Sequence, residues 1–446
     1  MKKSPIALVA ALGVVLGIVT GTAITAVATN NTPRPGPRAD GRTGDIVVAW
    51  NQELLHVVQT PGDQPATIHP TRSFAIMHAA IYDAVVSITR QDQPYLISVA
   101  APRDARIDAA AAQAGHDSLA ALYPKLQPEL DTQLATQLGA IPDGKHKSEG
   151  IRVGSEVAAQ LIADRASDGS SALPPPFVAG TQPGDYRPTP PNFPAPVFAG
   201  WSQVRPFVLN GASEFRPAPP PAVTSVAYAD ALNQVKSLGQ NTSATRAADQ
   251  TVAAKFWAPP IWNTWNEIAA HAVTVHKTDL EGTARLFALL NLSFADSVIA
   301  FYDAKYHYSV WRPVTAIRFG DTIGNPAIQG DPSWTPLAVT AADPSYPGAH
   351  STISAASAAV LSSFFGDDRG IDVTSDALRG TTRSFAGYAA IENEAGLSRI
   401  YAGQHTPLDD AAGRLLGSTI ANLVLRSSHS SAFGAKAAPS GAVSGY

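Results

Sequence analysis

Proline is concentrated in one stretch of this chain, and that stretch limits what the rest can fold into. Residues 173–222 contain uninterrupted prolines at 174–176 and 219–221. Because proline lacks an amide hydrogen and clashes with the preceding turn, such a segment cannot form a continuous helix. Aromatic residues such as Phe177 and Trp201 are interleaved with the prolines. They predict an ordered connection that packs on the protein, not a free linker.

The sequences on both sides of this connection predict helices. Apolar residues recur three and four positions apart in segments rich in Ala and Leu, and alternating β-branched residues are scarce. The predicted helices before the connection are 47–58, 73–87, 107–122, 129–138 and 153–166. Those after it are 225–238, 244–256, 262–276, 279–308, 351–365, 373–395 and 408–425. The prediction is an all-α protein of two helical bundle halves, 45–172 and 223–427.

The N-terminal residues have the layout of a secretory signal peptide. Lys2 and Lys3 precede an apolar run that ends in the small residues Ala26, Val27 and Ala28. We therefore expect a signal peptide at 1–28, a spacer at 29–44 and a secreted, extracytoplasmic protein. An N-terminal membrane anchor is the alternative, because the run is long enough to span a bilayer. No later segment is expected to cross a membrane, and the Ser-, Ala- and Gly-rich tail 428–446 is predicted to be disordered.

Composition excludes several classes of function. The chain has no cysteine, which excludes disulfides, thiolate metal sites and cysteine nucleophiles. Its formal net charge is −4 and no basic stripe is present, so nucleic acid is not an expected partner. With 446 residues, 45% of them hydrophobic, the chain can bury a large core. The sequence leaves open whether the protein forms a homo-oligomer.

Three short motifs near the C-terminal end carry the chemistry. Lys305 is followed at a spacing of seven by Arg312 and then by a proline. The sequence Pro-Ser-Tyr-Pro-Gly-Ala-His ends at His350, and a Ser-Arg pair containing Arg399 is followed by His405. Three cations and two imidazoles are what an enzyme needs to hold a tetrahedral oxyanion and transfer protons around it.

Local signals place the first two motifs. Lys305 and Arg312 would lie on one face of a helix, roughly 10 Å apart along its axis, if the helix continued to the proline. His350 is expected at the N-terminus of the helix that follows it. Free amide groups and the helix dipole favour an anion at such a position and lower the pKa of a histidine.

The third motif must contain a change of direction. Arg399 and His405 are six residues apart and cannot share a face of one continuous helix. Gly403 can end the first helix, Thr406 can cap a second, and a proline after that cap fits the first turn. Asp409 or Asp410 would then be close enough to accept a ring N–H from His405 and fix its tautomer; the alternative is that either interacts only with the helix dipole.

In this order the motifs resemble the shared signature of vanadium-dependent haloperoxidases, type 2 phosphatidic acid phosphatases and bacterial acid phosphatases. That signature is K-x6-RP, then PSGH, then SR-x5-H, and the flanking residues look like the bacterial haloperoxidase-related branch. The first and third motifs match fully. The second departs from the pattern, since Gly348 and Ala349 stand where Ser-Gly is usual.

The resemblance implies an all-α fold with the active site in the C-terminal bundle. It implies that Lys305, Arg312 and Arg399 bind the oxygens of vanadate or phosphate. It further implies that His405 binds vanadium or attacks phosphorus, and that His350 is the acid–base group. Gly348 cannot supply the hydroxyl hydrogen bond of the usual serine.

Three functions follow from this resemblance. The expected one is a vanadate-dependent haloperoxidase that oxidises halide with hydrogen peroxide, with vanadate as cofactor. The large N-terminal half and the aromatic residues around Lys305 favour it. One alternative is an exported acid phosphatase that hydrolyses phosphate esters through a phosphohistidine. The other is a non-catalytic anion-binding relative, which would tolerate loss of either histidine, although both are present.

Overall fold

Helices dominate the part of the chain that the structure describes. The computed structural model describes residues 44–174, 176–366, 370–430 and 433. Within these ranges there are thirteen α-helices and one two-stranded sheet, so the all-α prediction is confirmed. The predicted signal peptide and almost all of the spacer lie outside the described residues.

Five helices precede the proline-rich connection. They are α1 (Gly44–Gln59), α2 (Pro70–Thr89), α3 (Ile107–Leu122), α4 (Gln127–Gly139) and α5 (Lys145–Arg165). The start of α2 shows how the sequence sets a boundary. Pro70 occupies the first turn, and the His69 ring accepts a hydrogen bond from the Thr71 amide. A proline is tolerated there because the first-turn amide has no acceptor within the helix.

Eight helices follow the connection. They are α6 (Val226–Leu238), α7 (Ala248–Phe256), α8 (Ile261–Val275), α9 (Leu280–Tyr308), α10 (Pro313–Arg318), α11 (Ala349–Phe365), α12 (Tyr388–Tyr401) and α13 (Pro407–Ser427). Asp279 caps α9, since its Oδ1 accepts the Gly282 amide at 2.8 Å. The short helix α10 was not predicted.

The central helix α9 corrects one expectation. By length and composition it could cross a membrane, although no segment after the N-terminal one was expected to meet those criteria. In the structure, 94% of its most apolar window is buried. That burial is typical of a core helix, and α9 packs against α1, α2, α11 and α13.

The predicted helix 373–395 was wrong over its first half. The strands β1 (Ile371–Thr374) and β2 (Thr382–Phe385) pair there in antiparallel register, and α12 begins only at Tyr388. The connection between the strands includes Gly380 at φ +82°, a left-handed conformation that a helix does not contain. The β-branched residues of this segment therefore form a hairpin.

Both halves and the connection contribute to one hydrophobic core. Buried residues from α1 to α5 join those from α7, α8, α9, α11, α12 and α13 in a single cluster. The helices α6 and α10 pack in a second, smaller cluster. The connection is ordered, as predicted: the Asp296 carboxylate of α9 accepts the amides of Phe207, Val208 and Leu209 at 2.6–2.8 Å. The predicted disorder of the tail does not apply to Phe433, which is buried beside Tyr95.

Candidate active site

The first motif spans the end of one helix and the start of another. The helix α9 ends at Tyr308, and Ser309 adopts a left-handed conformation at φ 46°. Arg312 then forms the N-cap of α10. Lys305 and Arg312 therefore do not lie on one face of a single helix, contrary to the expected geometry. They converge because the chain turns between them and both reach the segment around Asp343.

Asp343 links the two cations. Its Oδ2 lies 3.3 Å from Lys305 Nζ, and its Oδ1 accepts a hydrogen bond from Arg312. Burial raises the pKa of Asp343, but Lys305 and Arg312 outweigh burial and lower it. Asp343 is therefore ionised. Burial lowers the pKa of Lys305 to about 8, opposed by Asp343, so Lys305 remains a cation at neutral pH.

The second motif lies at a helix start, as predicted. The helix α11 begins at Ala349, with Gly348 as its N-cap and His350 in its first turn. The His350 Nε2 lies 3.0 Å from the backbone oxygen of Trp257. A carbonyl oxygen only accepts, so the ring donates to it, and the Pro259 backbone oxygen is a second acceptor for the same ring. Burial, Arg399 and His405 together lower the pKa of His350 well below its ordinary value, which keeps it neutral.

The third motif folds as its local signals predicted. Helix α12 ends at Tyr401, and Gly403 follows at φ +76°. A side chain at Gly403 would also meet the Gly239 backbone oxygen at 2.7 Å, so this turn requires glycine. Thr406 then caps α13 and Pro407 occupies its first turn. This corner brings His405 next to the first motif, where Arg312 Nη1 lies 3.3 Å from its Nε2.

Asp409 and Ser345 hold the other side of the His405 ring. The His405 Nδ1 lies 3.3 Å from Asp409 Oδ2 and 3.4 Å from Ser345 Oγ, and Ser345 Oγ donates to the same carboxylate oxygen at 2.8 Å. Nδ1 therefore carries the proton, and Nε2 has the lone pair that can act on a ligand. Burial and the charge of Arg312 lower the pKa of His405 to about 4, so the ring is neutral at pH 7.

Arg399 is the cation without a carboxylate partner. It is buried, with 8% of its surface exposed, and its Nη1 donates to the Trp257 oxygen at 3.3 Å. Within the described part of the chain it forms no ion pair. Burial and the charge of Arg312 lower the pKa of Arg399 to about 10, which leaves it positive at neutral pH. A buried, unpaired cation is costly unless an anion binds beside it.

Gly348 brings α11 and α13 close together. Its amide donates to the Asp409 backbone oxygen at 2.9 Å. A Cβ built on Gly348 would lie 3.2 Å from that oxygen and 3.2 Å from Ser351 Oγ. A serine at this position is therefore accommodated only with a small displacement of its neighbours.

The motif residues provide a donor set that fits a tetrahedral oxyanion. Lys305, Arg312 and Arg399 supply cationic N–H groups, and the first-turn amides of α11 have no acceptor within the helix. His405 supplies an unprotonated Nε2, which accepts a hydrogen bond from Arg312 in this structure. The residues present therefore match the requirements of bound vanadate or phosphate.

Sequence reasoning missed three members of this site. Asp343 and Ser345 lie in or beside the second motif but match no residue of its signature, and Trp257 acts through its backbone oxygen. Asp343 could have been suspected as an acidic residue seven positions before His350. A backbone carbonyl such as that of Trp257 leaves no signal in the side-chain sequence.

The fold and the site resemble those of one class of proteins, the helical vanadium haloperoxidases. Residues 285–433 match the family model described as the VCPO second helical-bundle domain. The family resemblance inferred from the three motifs is thereby confirmed, since the matched residues contain all three motifs.

Individual relatives support the same assignment. The chain is 26% identical over 418 residues to vanadium chloroperoxidase from Curvularia inaequalis, an alignment that covers 73% of this chain and 67% of that protein. The fold is similar to that of a bacterial vanadium-dependent iodoperoxidase, with a TM-score of 0.74, 23% identity, and coverage of 88% of this chain and 98% of that one. A bacterial vanadium-dependent chloroperoxidase in its holo form gives a TM-score of 0.63 at 15% identity, covering 87% and 95%.

Proposed function

We propose that this protein is a vanadate-dependent haloperoxidase that oxidises halide with hydrogen peroxide at a vanadate bound through His405. The observation that carries the proposal is the buried cation Arg399, which lacks an ion-pair partner among the described residues. It lies close enough to Arg312 for that charge to lower its pKa, and it shares the Trp257 oxygen with His350. The relatives named as vanadium haloperoxidases support this choice of reaction. The similarity of fold to the bacterial iodoperoxidase supports it as well, because that similarity covers 88% of this chain and so includes much of the N-terminal half.

The hydrogen bonds that each residue makes determine the role that we assign to it. Bound vanadate would activate hydrogen peroxide so that halide can attack its oxygen. His405 would hold the anion through Nε2, because Asp409 occupies Nδ1. Arg399 would neutralise the anion's charge, and Lys305 would donate to an oxygen atom as negative charge develops on it. His350 would accept and return a proton as the acid–base group, and the Trp257 and Pro259 backbone oxygens would hold its ring in place.

A phosphatase is the second candidate, because the three motifs resemble a signature that haloperoxidases share with acid phosphatases. Gly348 lacks the hydroxyl that completes the usual oxyanion site, so the identity of the preferred anion is open to experiment. In this reaction the His405 Nε2 would attack the phosphorus of a phosphate ester, and the alcohol would leave with a proton from His350. The His350 ring must first take up that proton, which the negative charge of the bound ester favours. Water then releases phosphate from the phosphohistidine.

The two functions are separated by assaying one protein preparation for both. The purified protein is incubated with orthovanadate, then tested for peroxide-dependent bromination and for hydrolysis of p-nitrophenyl phosphate. Bromination that requires vanadate is the expected result. Hydrolysis that vanadate inhibits would select the phosphatase, and inactivity in both assays would refute an enzymatic role. The variant His271→Ala, which removes an exposed imidazole, controls for nonspecific halogenation of histidine.

A further inference from the structure

The Lys305 ammonium has all of its hydrogen-bond donors engaged by protein oxygens. An ammonium carries three N–H groups. The Lys305 Nζ lies 2.5 Å from the Pro344 backbone oxygen, 3.2 Å from the Ser345 backbone oxygen and 3.3 Å from Asp343 Oδ2. Lys305 can therefore contact an additional oxyanion only after one of these acceptors is released.

Arg312 is nearly as fully occupied. Its Nε donates to the Asp343 backbone oxygen at 2.7 Å, and its Nη2 donates to the Asp343 carboxylate. Its Nη1 lies 3.1 Å from the Gln404 backbone oxygen and 3.3 Å from His405 Nε2. Four of the five N–H donors of a guanidinium are thus accounted for.

Of these acceptors, the Asp343 side chain is the one that, like an oxyanion, carries a negative charge on oxygen atoms. It is a carboxylate, 6% exposed, that contacts two of the three motif cations at once. The backbone oxygens are fixed by the chain, whereas a side chain can rotate. An incoming anion also meets repulsion from Asp343, and like charges brought together at a binding site cost substantial affinity.

We propose that Asp343 is an internal competitor of the oxyanion: its carboxylate holds Lys305 and Arg312 and must be displaced before vanadate or phosphate can engage them. Asp343 is thus a residue that sets anion affinity. The inference rests on the oxyanion pocket of the proposed function, but it concerns binding and does not depend on which reaction follows.

The test compares Asp343→Asn with the wild-type protein by calorimetric titration of inorganic phosphate and of orthovanadate. Asparagine keeps an oxygen acceptor for Arg312 and removes the negative charge. For the Asp343→Asn variant, we expect the Kd of at least one of the two anions to fall about tenfold or more. The anion whose Kd falls is identified as the preferred ligand. If both anions bind with unchanged or lower affinity, the proposal is refuted. Asp343 would then be a residue that positions Lys305 and Arg312.

The matched control is Asp303→Asn, on the same helix as Lys305. Asp303 pairs with Arg216 at 2.6 and 3.0 Å and contacts none of the motif cations. Its substitution removes one carboxylate near the site and should leave the Kd unchanged. A matching gain in this variant would attribute the effect to net charge and refute direct competition.

A structural measurement covers the case in which Asp343→Asn fails to fold. In crystals of the wild-type protein soaked with phosphate, the Asp343 carboxylate should move beyond hydrogen-bond distance of Lys305. Phosphate bound at Arg399 with the contact between Asp343 and Lys305 intact would contradict the proposal. Absence of bromination in the wild-type protein would refute the haloperoxidase function while leaving these binding results interpretable.

Discussion

Restoring the hydroxyl at position 348 is the perturbation whose magnitude follows most directly from the structure. The Gly348→Ser variant would place a hydroxyl donor at the N-terminus of α11, beside the pocket. A hydrogen bond from a neutral donor to a charged acceptor contributes about 1.5–3 kcal/mol. We therefore expect vanadate or phosphate to bind about tenfold to a hundredfold more tightly.

The same substitution has a packing cost that affects a different quantity. A Cβ at Gly348 lies 3.2 Å from both the Asp409 backbone oxygen and Ser351 Oγ, so these atoms must move by a few tenths of an ångström. Overpacking of this kind costs about 1–3 kcal/mol of the free energy of unfolding. The strain is present with and without the anion, so it lowers stability and largely cancels from the Kd.

The control Gly348→Ala separates the two effects, because it adds the Cβ without the hydroxyl. Both variants should lose similar stability in urea denaturation, and only the serine variant should bind anion more tightly in a calorimetric titration. Equal anion affinities for the serine and alanine variants would refute the role assigned to the hydroxyl. Glycine and alanine both adopt the backbone conformation at this position, φ −72°, without strain.

Three further predictions concern the histidines and their partners. His405→Ala should abolish turnover in whichever assay the wild-type protein is active, bromination or phosphate ester hydrolysis. Full turnover by this variant would refute the role of His405. Asp409→Asn should lower kcat by about tenfold to a hundredfold, because Nδ1 of His405 is no longer held by a carboxylate; an unchanged kcat would show that Ser345 alone fixes the ring. Burial lowers the pKa of His69 and of His78 to about 3, so the unfolded chain takes up protons below pH 6.5 that the folded protein does not. The free energy of unfolding should therefore fall as the pH falls, by about 2 kcal/mol for each of these rings at pH 5, and equal urea midpoints at pH 7 and pH 5 would contradict this.

The parts of the site that the sequence predicted correctly are set by local chemistry. The corner between α12 and α13 follows from a glycine with positive φ, a threonine cap and a proline in the first turn, all within a few residues. The helix start at His350 likewise follows from the break at Pro347 and Gly348. Such signals act through backbone groups next to them in the chain, so the sequence is sufficient to place them.

The parts that were missed depend on contacts between distant segments. The Trp257 oxygen meets His350 and Arg399 only because the end of α7 packs against α12 and so reaches the start of α11. The hairpin at 371–385 is fixed partly by Arg383, which pairs with Glu394 of α12. No local periodicity encodes these approaches, and the apolar pattern of this segment alone predicted a helix.

Two departures from a fully available oxyanion site act in the same direction, and only the one at Gly348 lies within the family signature. At the start of α11, Gly348 provides no hydroxyl donor for the oxyanion. On the α9 side, Asp343 occupies donors that the oxyanion would otherwise use. Neither departure disturbs the elements that position Arg399 and His405, because those depend on the caps of α12 and α13. The geometry of the site is thus set by helix boundaries, and motif spacing could predict it. The affinity of the site for an anion is set by individual side chains, so motif spacing could not predict it.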